Sequence, residues 1–130
     1  MKKELEQLLE FHQSFGAYWQ TEANIDIPDE IRQVRKTLIS EEAKEVCEAI
    51  DNEPLENIAK ELADLLYVTY GAIINYGLQD KIEEIFAEVH RSNMSKLGED
   101  GKPVLREDGK VLKGPHYSPA DVRSILESNN

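Results

Sequence analysis

Two consecutive helical segments of this chain carry acidic residues on their apolar sides. Glu42 and Glu45 lie three residues apart in the second segment, so their side chains share one face of a helix. Glu61 and Asp64 repeat that spacing in the third segment, with Glu61 on the apolar stripe and Asp64 beside it. The stripes consist of Ile31, Leu38 and Ala49 in one segment and Ile58, Leu65 and Ala72 in the other. The two helices are therefore predicted to aim four carboxylates toward one region.

Four carboxylates in a protein interior require a positive charge nearby. Each buried ion carries a large desolvation cost, and repulsion between like charges adds to it. Oxygen ligands from Asp and Glu favour hard cations, so the pattern predicts Mg²⁺, with Mn²⁺ as a substitute, rather than Zn²⁺. An acidic run such as residues 41–45 is by itself more typical of a solvated helix face. The repetition of the pattern on a second helix favours the metal site.

Hydrophobic spacing predicts four main helices, at about residues 3–19, 28–50, 54–76 and 81–96. Gly77 is expected to cap the third helix, and Asp80 with Glu83 to form a capping box for the fourth. These four segments are long enough to build a helical core around one hydrophobic interior.

The composition changes after the fourth helix. The dipeptide Asp108-Gly109 is a turn signal, and the apolar pairs 104–105 and 111–112 on either side of it favour a small hairpin. Residues 118–121 are expected to begin a short last helix. We therefore predict an all-α fold with a four-helix-bundle-like core, a short C-terminal hairpin or loop segment and a small terminal helix. The whole chain, 1–130, is predicted to form one domain, with 97–130 as an extension able to act as a flap.

The charge and the hydrophobic pattern of the chain exclude some classes of binding partner. The chain has 26 acidic and 15 basic residues and a net charge of −11, which disfavours polymeric nucleic acid. No apolar stretch is long enough to cross a membrane, and the first residues lack the apolar run of a signal peptide. The single cysteine, Cys47, allows no internal disulfide. A cytoplasmic location is therefore expected.

Several polar and aromatic residues are candidates for substrate binding. Asn93 and Lys96 continue the apolar face of the fourth helix, where Lys96 would contact a phosphate or, alternatively, extend past the helix end into solvent. Tyr67 would line a sugar site or a subunit contact. The remaining candidates are His12 and Phe15, which would stack a base or pack in the core, and Lys110 and Lys113, which would belong to a flap or to a solvated loop.

The acidic residues also match a known pattern. Leu38-Ile39-Ser40-Glu41-Glu42-Ala43-Lys44-Glu45, followed by Glu61-Leu62-Ala63-Asp64-Leu65-Leu66-Tyr67, resembles the EExxE…ExxD signature of the all-alpha nucleoside triphosphate pyrophosphohydrolases. That superfamily includes MazG-like enzymes, dimeric dUTPases, dCTP pyrophosphatases and phosphoribosyl-ATP pyrophosphohydrolases. The resemblance covers about residues 31–96, and the segment from Gly98 to Tyr117 looks like that of bacterial and phage members of the phosphoribosyl-ATP pyrophosphohydrolase-like group.

The resemblance implies a function and a set of roles. The expected reaction is Mg²⁺-dependent hydrolysis of a nucleoside triphosphate to the monophosphate and pyrophosphate, with the base left open. Glu41 matches the first acid of the signature and would orient the attacking water or help hold a further metal. The implied metal ligands are Glu42, Glu45, Glu61 and Asp64, and the implied phosphate or sugar ligands are Asn93 and Lys96.

Three alternative functions differ from general nucleoside triphosphate hydrolysis. A phosphoribosyl-ATP pyrophosphohydrolase of histidine synthesis would use the same metal site on a particular substrate. A non-catalytic helical interaction or regulatory module would show no metal-dependent hydrolysis. A ferritin-like di-iron protein would need Glu-x-x-His motifs, whereas the third residue after Glu42 is Glu45 and the third after Glu61 is Asp64.

The apolar pattern of the third helix also predicts that the protein forms a homo-oligomer. It is apolar on almost every side from residue 62 to residue 76, which exceeds what one small core can bury. An uncovered apolar surface of this kind is typical of a subunit contact, and relatives in the superfamily commonly form dimers or tetramers. We therefore expect a homodimer or homotetramer.

Overall fold

The computed structural model describes residues 1–128, so the last two positions of the predicted 1–130 domain lie outside it. Within this range the protein has five helices and one two-stranded sheet. The helices are α1 (Lys2–Phe15), α2 (Asp29–Asn52), α3 (Leu55–Asn75), α4 (Ile82–Met94) and α5 (Val122–Glu127), and the strands are β1 (Val104–Leu105) and β2 (Val111–Leu112). The prediction of an all-α fold with a C-terminal hairpin and a small terminal helix is confirmed. None of the helices in residues 1–128 has the length and apolar character that a membrane crossing needs.

The chain divides into two compact units, Met1–Asp80 and Lys81–Asn130. In the first unit, α1 and α2 each pack against α3, which is therefore the central helix. Its last turns contribute Ile74, which is fully buried. The apolar core of this unit is completed by Leu5, Leu8, Ile27, Val46 and Ala49.

Helix α3 ends at Asn75, and the glycine that the sequence predicted as its cap, Gly77, follows two residues later. Gly77 has a φ of 67°, in the left-handed region that glycine enters without a side-chain clash. Its N–H donates to the Ile74 carbonyl at 3.2 Å, and the Leu78 N–H donates to the Ile73 carbonyl at 2.9 Å. This pair of bonds is a Schellman motif, which satisfies the last carbonyls of the helix. A Cβ at Gly77 would stand 2.1 Å from the Glu22 carbonyl oxygen, so the close approach also requires glycine.

A buried polar network ties the segment after α1 to the end of α3. Asn75 is 2% exposed. Its side chain donates to the Tyr18 carbonyl at 2.8 Å and accepts from Arg35 Nε at 2.8 Å. The Asn75 backbone carbonyl accepts from Gln20 Nε2 at 3.0 Å, and His12 Nδ1 lies 2.9 Å from the same Tyr18 carbonyl. These bonds order a stretch of chain that has no regular structure of its own.

Two predicted helix boundaries are wrong. α1 ends at Phe15 rather than near residue 19, because Gly16 turns into the left-handed region (φ 68°). Tyr18 therefore lies in the following segment, where its carbonyl enters the Asn75 network. α4 begins after Lys81, which occupies the N-cap position predicted for Asp80, and it ends at Met94.

The second unit contains α4, the hairpin and α5. β1 and β2 pair antiparallel, with Val104 opposite Leu112 and Leu105 opposite Val111. The N–H of Asp121, the N-cap of α5, donates to Glu88 Oε1 on α4 at 3.0 Å. This contact and the packing of α4 against α5 fasten the last helix to α4.

Candidate active site

Three of the predicted metal ligands come together between α2 and α3. Glu42, Glu45 and Glu61 each offer a carboxylate oxygen, and these oxygens all lie within 4.8 Å of one another. Only Glu53 and Pro54 separate the two helices, so α2 and α3 run antiparallel. That connection brings the last half of α2 beside the first half of α3 and places the acids opposite one another. The cluster is half-buried at Glu42 and Glu61 and exposed at Glu45.

The acidic cluster carries unsatisfied oxygens. Glu42 Oε2 and Glu61 Oε2 are buried and have no hydrogen-bond partner among the described residues. The pKa of Glu61 is raised, first by burial and then by a hydrogen bond with Glu45 and the negative charges of Glu45 and Asp64. A hydrogen bond between two carboxyl groups needs a proton on one of them. The cluster is therefore short of positive charge, and its oxygen-only donor set fits a hard divalent cation.

The fourth predicted ligand is placed differently. Asp64 is outside the group of three, and its Oδ2 lies 2.7 Å from Lys60 Nζ. The same ammonium is 3.5 Å from Glu61 Oε1, so Lys60 supplies positive charge to both acids. Lys60 and Asp64 are four residues apart, which is an ordinary spacing for an ion pair on a helix. This spacing was the signal in the sequence that could have predicted their ion pair.

Glu41, the predicted catalytic acid, is exposed on α2 beside the cluster and is outside the group of three. Nothing among its described contacts holds it in one orientation. In this conformation it is a solvent-facing carboxylate next to the three acids rather than a member of their cluster.

The aromatic candidates separate into an exposed group and a buried residue. Phe11 stacks on Phe15 with ring centroids 4.5 Å apart, and its edge meets the Tyr67 ring at 5.7 Å. All three rings are exposed, which leaves Phe15 and Tyr67 accessible to a ligand or a subunit. His12 is buried, and both its burial and the nearby charge of Arg35 lower its pKa. His12 therefore fits the core-packing alternative, because almost none of its ring is available for stacking a base.

The remaining candidates belong to the second unit. Asn93 is exposed in the last turn of α4, and Lys96 follows the helix end with its side chain half-buried. The Lys96 carbonyl accepts from the Gly114 N–H at 2.9 Å, which anchors the end of the hairpin segment to the end of α4. On that segment Lys110 is exposed, and Lys113 Nζ lies 4.7 Å from the centre of the Tyr117 ring.

Two further polar residues of the first unit were missed by sequence reasoning. Arg35 and Asn75 interrupt apolar stripes of α2 and α3, which is the same signal that identified the acids. The guanidinium of Arg35 lies against α3 at Gly71, where a Cβ would stand 2.3 Å from Arg35 Nη1. A glycine in the middle of a helix therefore marks where the long side chain crosses.

The family comparison agrees with the acid pattern. A family model described as phosphoribosyl-ATP pyrophosphohydrolase matches residues 8–93, from α1 to the last turn of α4. The protein is thus an all-α pyrophosphohydrolase, a hydrolase acting on phosphoric anhydrides. The chain belongs to the phosphoribosyl-ATP pyrophosphohydrolase family, and the resemblance inferred from the EExxE…ExxD pattern is confirmed. A search of curated proteins found no match.

Proposed function

We propose that this protein hydrolyses a nucleoside triphosphate group to the monophosphate and pyrophosphate, in the cytoplasm and with Mg²⁺ or Mn²⁺ as the required cation. The observation that carries the proposal is the cluster of Glu42, Glu45 and Glu61 on two antiparallel helices of a pyrophosphohydrolase. In the reaction, the oxygen of a water molecule bonds to the α-phosphorus while the bond to the bridging oxygen breaks and pyrophosphate leaves.

The donor chemistry of the cluster supports the choice of cation. Glu42 and Glu61 each contribute a buried oxygen without a hydrogen-bond partner, and Glu45 adds a third oxygen from the exposed side. Asp64 would join them once its ion pair with Lys60 opens. A bound divalent cation would neutralise charge on the phosphates and lower the pKa of a water molecule. Lys60 is the described residue positioned to balance the acids in the metal-free protein.

The other predicted residues have separate tasks in this proposal. Glu41 would orient the attacking water from its exposed position beside the cluster. Asn93 and Lys96 would bind phosphate or sugar oxygens, and Lys110 and Lys113 would close over the triphosphate. Phe15 and Tyr67 offer aromatic surface to the base or sugar.

A second candidate substrate follows from the family description. Phosphoribosyl-ATP also carries a triphosphate, so it would use the same carboxylates. The experiment is to incubate the full chain with Mg²⁺ or Mn²⁺ and a panel of ribo- and deoxyribonucleoside triphosphates, with phosphoribosyl-ATP included, and to measure pyrophosphate. Release of pyrophosphate that stops on adding a chelator supports the proposal. If no compound yields pyrophosphate with either cation, the proposal is wrong.

The phosphate role of Lys96 gives one prediction. Lys96→Met keeps the length and apolar stem of the side chain and removes its charge. A charge-assisted hydrogen bond is worth about 1.5–3 kcal/mol, so we expect KM for the preferred triphosphate to rise roughly tenfold or more. Steady-state pyrophosphate release at low salt measures it. Lys3→Met, which removes an exposed charge from α1, is the control. Unchanged kinetics for Lys96→Met would show that this lysine only reaches into solvent.

Assembly gives another prediction. We propose a homodimer or homotetramer in which α3 contributes to the interface. Leu55, Leu62 and Leu66 are 79%, 44% and 56% exposed and follow one another at helical spacing. Such an uncovered apolar stripe is typical of a protein contact. Leu66→Lys should therefore shift the protein to monomer in sedimentation velocity at micromolar concentration, whereas Ile50→Lys, at an exposed apolar position of α2, should not. A wild-type protein that sediments as a fully active monomer would rule out the assembly.

A further inference from the structure

A lysine lies beside the acidic cluster, on the side that faces solvent. Lys60 Nζ is 2.7 Å from Asp64 Oδ2 and 3.5 Å from Glu61 Oε1. The Lys60 side chain is 66% exposed, whereas those of Asp64 and Glu61 are 37% and 16% exposed. The ammonium therefore reaches the acids from outside, and within residues 1–128 its ion pairs are with these two acids.

One positive charge offsets part of the negative charge in this region. Glu61 presents Oε1 to Lys60, but its Oε2 is buried without a hydrogen-bond partner among the described residues, and so is Glu42 Oε2. The three carboxylates of the cluster together with Asp64 carry up to four negative charges against one ammonium. Lys60 is therefore a partial counter-ion, and a divalent cation at the cluster would supply the charge that it leaves unbalanced.

The contact with Lys60 also limits what Asp64 can bind. At 2.7 Å from an ammonium, Asp64 Oδ2 accepts a charge-assisted hydrogen bond, and the lone pair used for that bond is not available to a metal ion. A divalent cation held by the cluster would in addition repel the ammonium. Asp64, the last acid of the EExxE…ExxD pattern, would therefore become a metal ligand only after Lys60 has moved away.

The exposure of Lys60 makes this displacement reversible. An exposed ion pair contributes little to stability, because water weakens the attraction and two side chains must be held in one geometry. The lysine stem is flexible, so the ammonium can leave Asp64 for solvent without disturbing α3. A weak competitor of this kind lowers the affinity for a divalent cation without preventing its binding.

We propose that Lys60 is a built-in counter-ion that competes with the divalent cation for Asp64 and Glu61, and thereby sets the cation concentration at which the site is loaded. Lys60 is a positioning residue in this role, because it acts through the carboxylates and not on the reacting atoms. This rests on the proposed function and deepens it, since it names the residue that regulates the metal requirement of that site. In the metal-free protein the same contact stabilises the first unit by offsetting repulsion between the acids.

The first measurement is calorimetric titration of Mg²⁺, and separately of Mn²⁺, into the metal-free full chain. Lys60→Gln removes the competing charge, so we expect its Kd for the cation to fall roughly threefold to fivefold. Lys60→Arg restores a positive charge at the same position and should bring the Kd back toward the wild-type value. Lys44→Gln is the matched control, because Lys44 is an exposed lysine of α2 that pairs with Glu48 at 4.0 Å. Its Kd should stay unchanged.

The second measurement separates competition from a purely structural role. With a chelator present, Lys60→Gln should melt below the wild type, because the acids lose their counter-ion. At one fixed Mg²⁺ concentration, its gain in melting midpoint should exceed the wild-type gain, because the cation binds more tightly. A lysine that only supports the helix would change the first value and leave the second unchanged.

The outcomes distinguish this role from the reaction itself. Tighter cation binding by Lys60→Gln supports the role of Lys60 even if pyrophosphate release fails for every substrate, in which case the proposed function alone is wrong. Equal or weaker binding by Lys60→Gln would overturn the role of Lys60, and an active protein would then leave the proposed function standing. An equal gain in Lys44→Gln would assign the effect to net charge, and no cation binding in any variant would overturn the role as well.

Discussion

Glu45→Gln and Glu61→Gln should each lower kcat/KM for pyrophosphate release by more than about a hundredfold, because loss of an outer partner of a metal ligand alone costs 10–100-fold. Both residues belong to the three-carboxylate cluster, and glutamine keeps the side-chain shape while removing the charge that would hold a cation. The measurement is steady-state pyrophosphate release over a range of Mg²⁺ concentrations. Added Mg²⁺ should recover part of the loss in Glu45→Gln, which lies at the exposed edge.

Glu61→Gln should lower activity but raise the stability of the metal-free protein. In the metal-free protein Glu61 is protonated more readily than an ordinary carboxyl group, because burial and the neighbouring acids raise its pKa. A carboxyl group with a raised pKa in the folded state stabilises that state at low pH, and this contribution is lost as pH rises through the folded-state pKa. Glutamine does not ionise, so Glu61→Gln avoids this loss of stability at higher pH. With a chelator present at neutral pH, the thermal midpoint of Glu61→Gln should therefore lie above that of the wild type.

Glu48→Gln provides the control for both measurements. Glu48 is on α2, three residues beyond Glu45, with an exposed side chain that pairs with Lys44. Glu48→Gln removes one negative charge, as the two cluster substitutions do, but at a position outside the cluster. Both the activity and the melting midpoint of Glu48→Gln should stay near wild-type values. Full activity in either Glu45→Gln or Glu61→Gln would exclude that residue from the site, and a stability gain in Glu48→Gln as large as in Glu61→Gln would attribute the effect to net charge alone.

Local sequence signals predicted much of this fold because their physical causes are local. Gly77 ends α3 since a left-handed residue is needed there, and glycine is the residue that adopts it without a clash. The hairpin follows from the Asp108-Gly109 turn, where Gly109 has a φ of 87°. Periodicity likewise predicted the acidic cluster, because spacing on a helix determines which side chains share a face. At Gly16 a comparable turn ended α1 early, and the apolar residues beyond it hid that signal.

Contacts between distant segments could not be read from such patterns. Arg35 and Asn75 meet across 40 residues of sequence, and neither spacing nor composition indicates that pairing. Asp64 shows a second limit, since periodicity placed it beside Glu61 but could not decide between a shared metal and the ammonium of Lys60. In each case the outcome depends on competition between partners in three dimensions.

Asn75→Ala should be among the most destabilising single substitutions in the first unit. It removes two buried hydrogen bonds, one to the Tyr18 carbonyl and one from the charged Arg35. Arg35 then keeps the Val68 carbonyl as its one described acceptor in a half-buried site. A hydrogen bond to a charged group contributes about 1.5–3 kcal/mol and a neutral one about 1 kcal/mol. We therefore expect the free energy of unfolding to fall by roughly 3 kcal/mol.

Asn57→Ala separates this network from the general effect of replacing asparagine in a helix. Asn57 is also on α3, but it is exposed and donates to Glu53 Oε1 at 3.1 Å in the first turn. Both substitutions gain the higher helix propensity of alanine, so the difference between them isolates the buried bonds. Urea unfolding followed by circular dichroism should show a change within about 0.5 kcal/mol for Asn57→Ala. Equal losses in the two variants would mean that the Arg35–Asn75–Tyr18 network contributes little, and the segment after α1 would then be held by apolar packing instead.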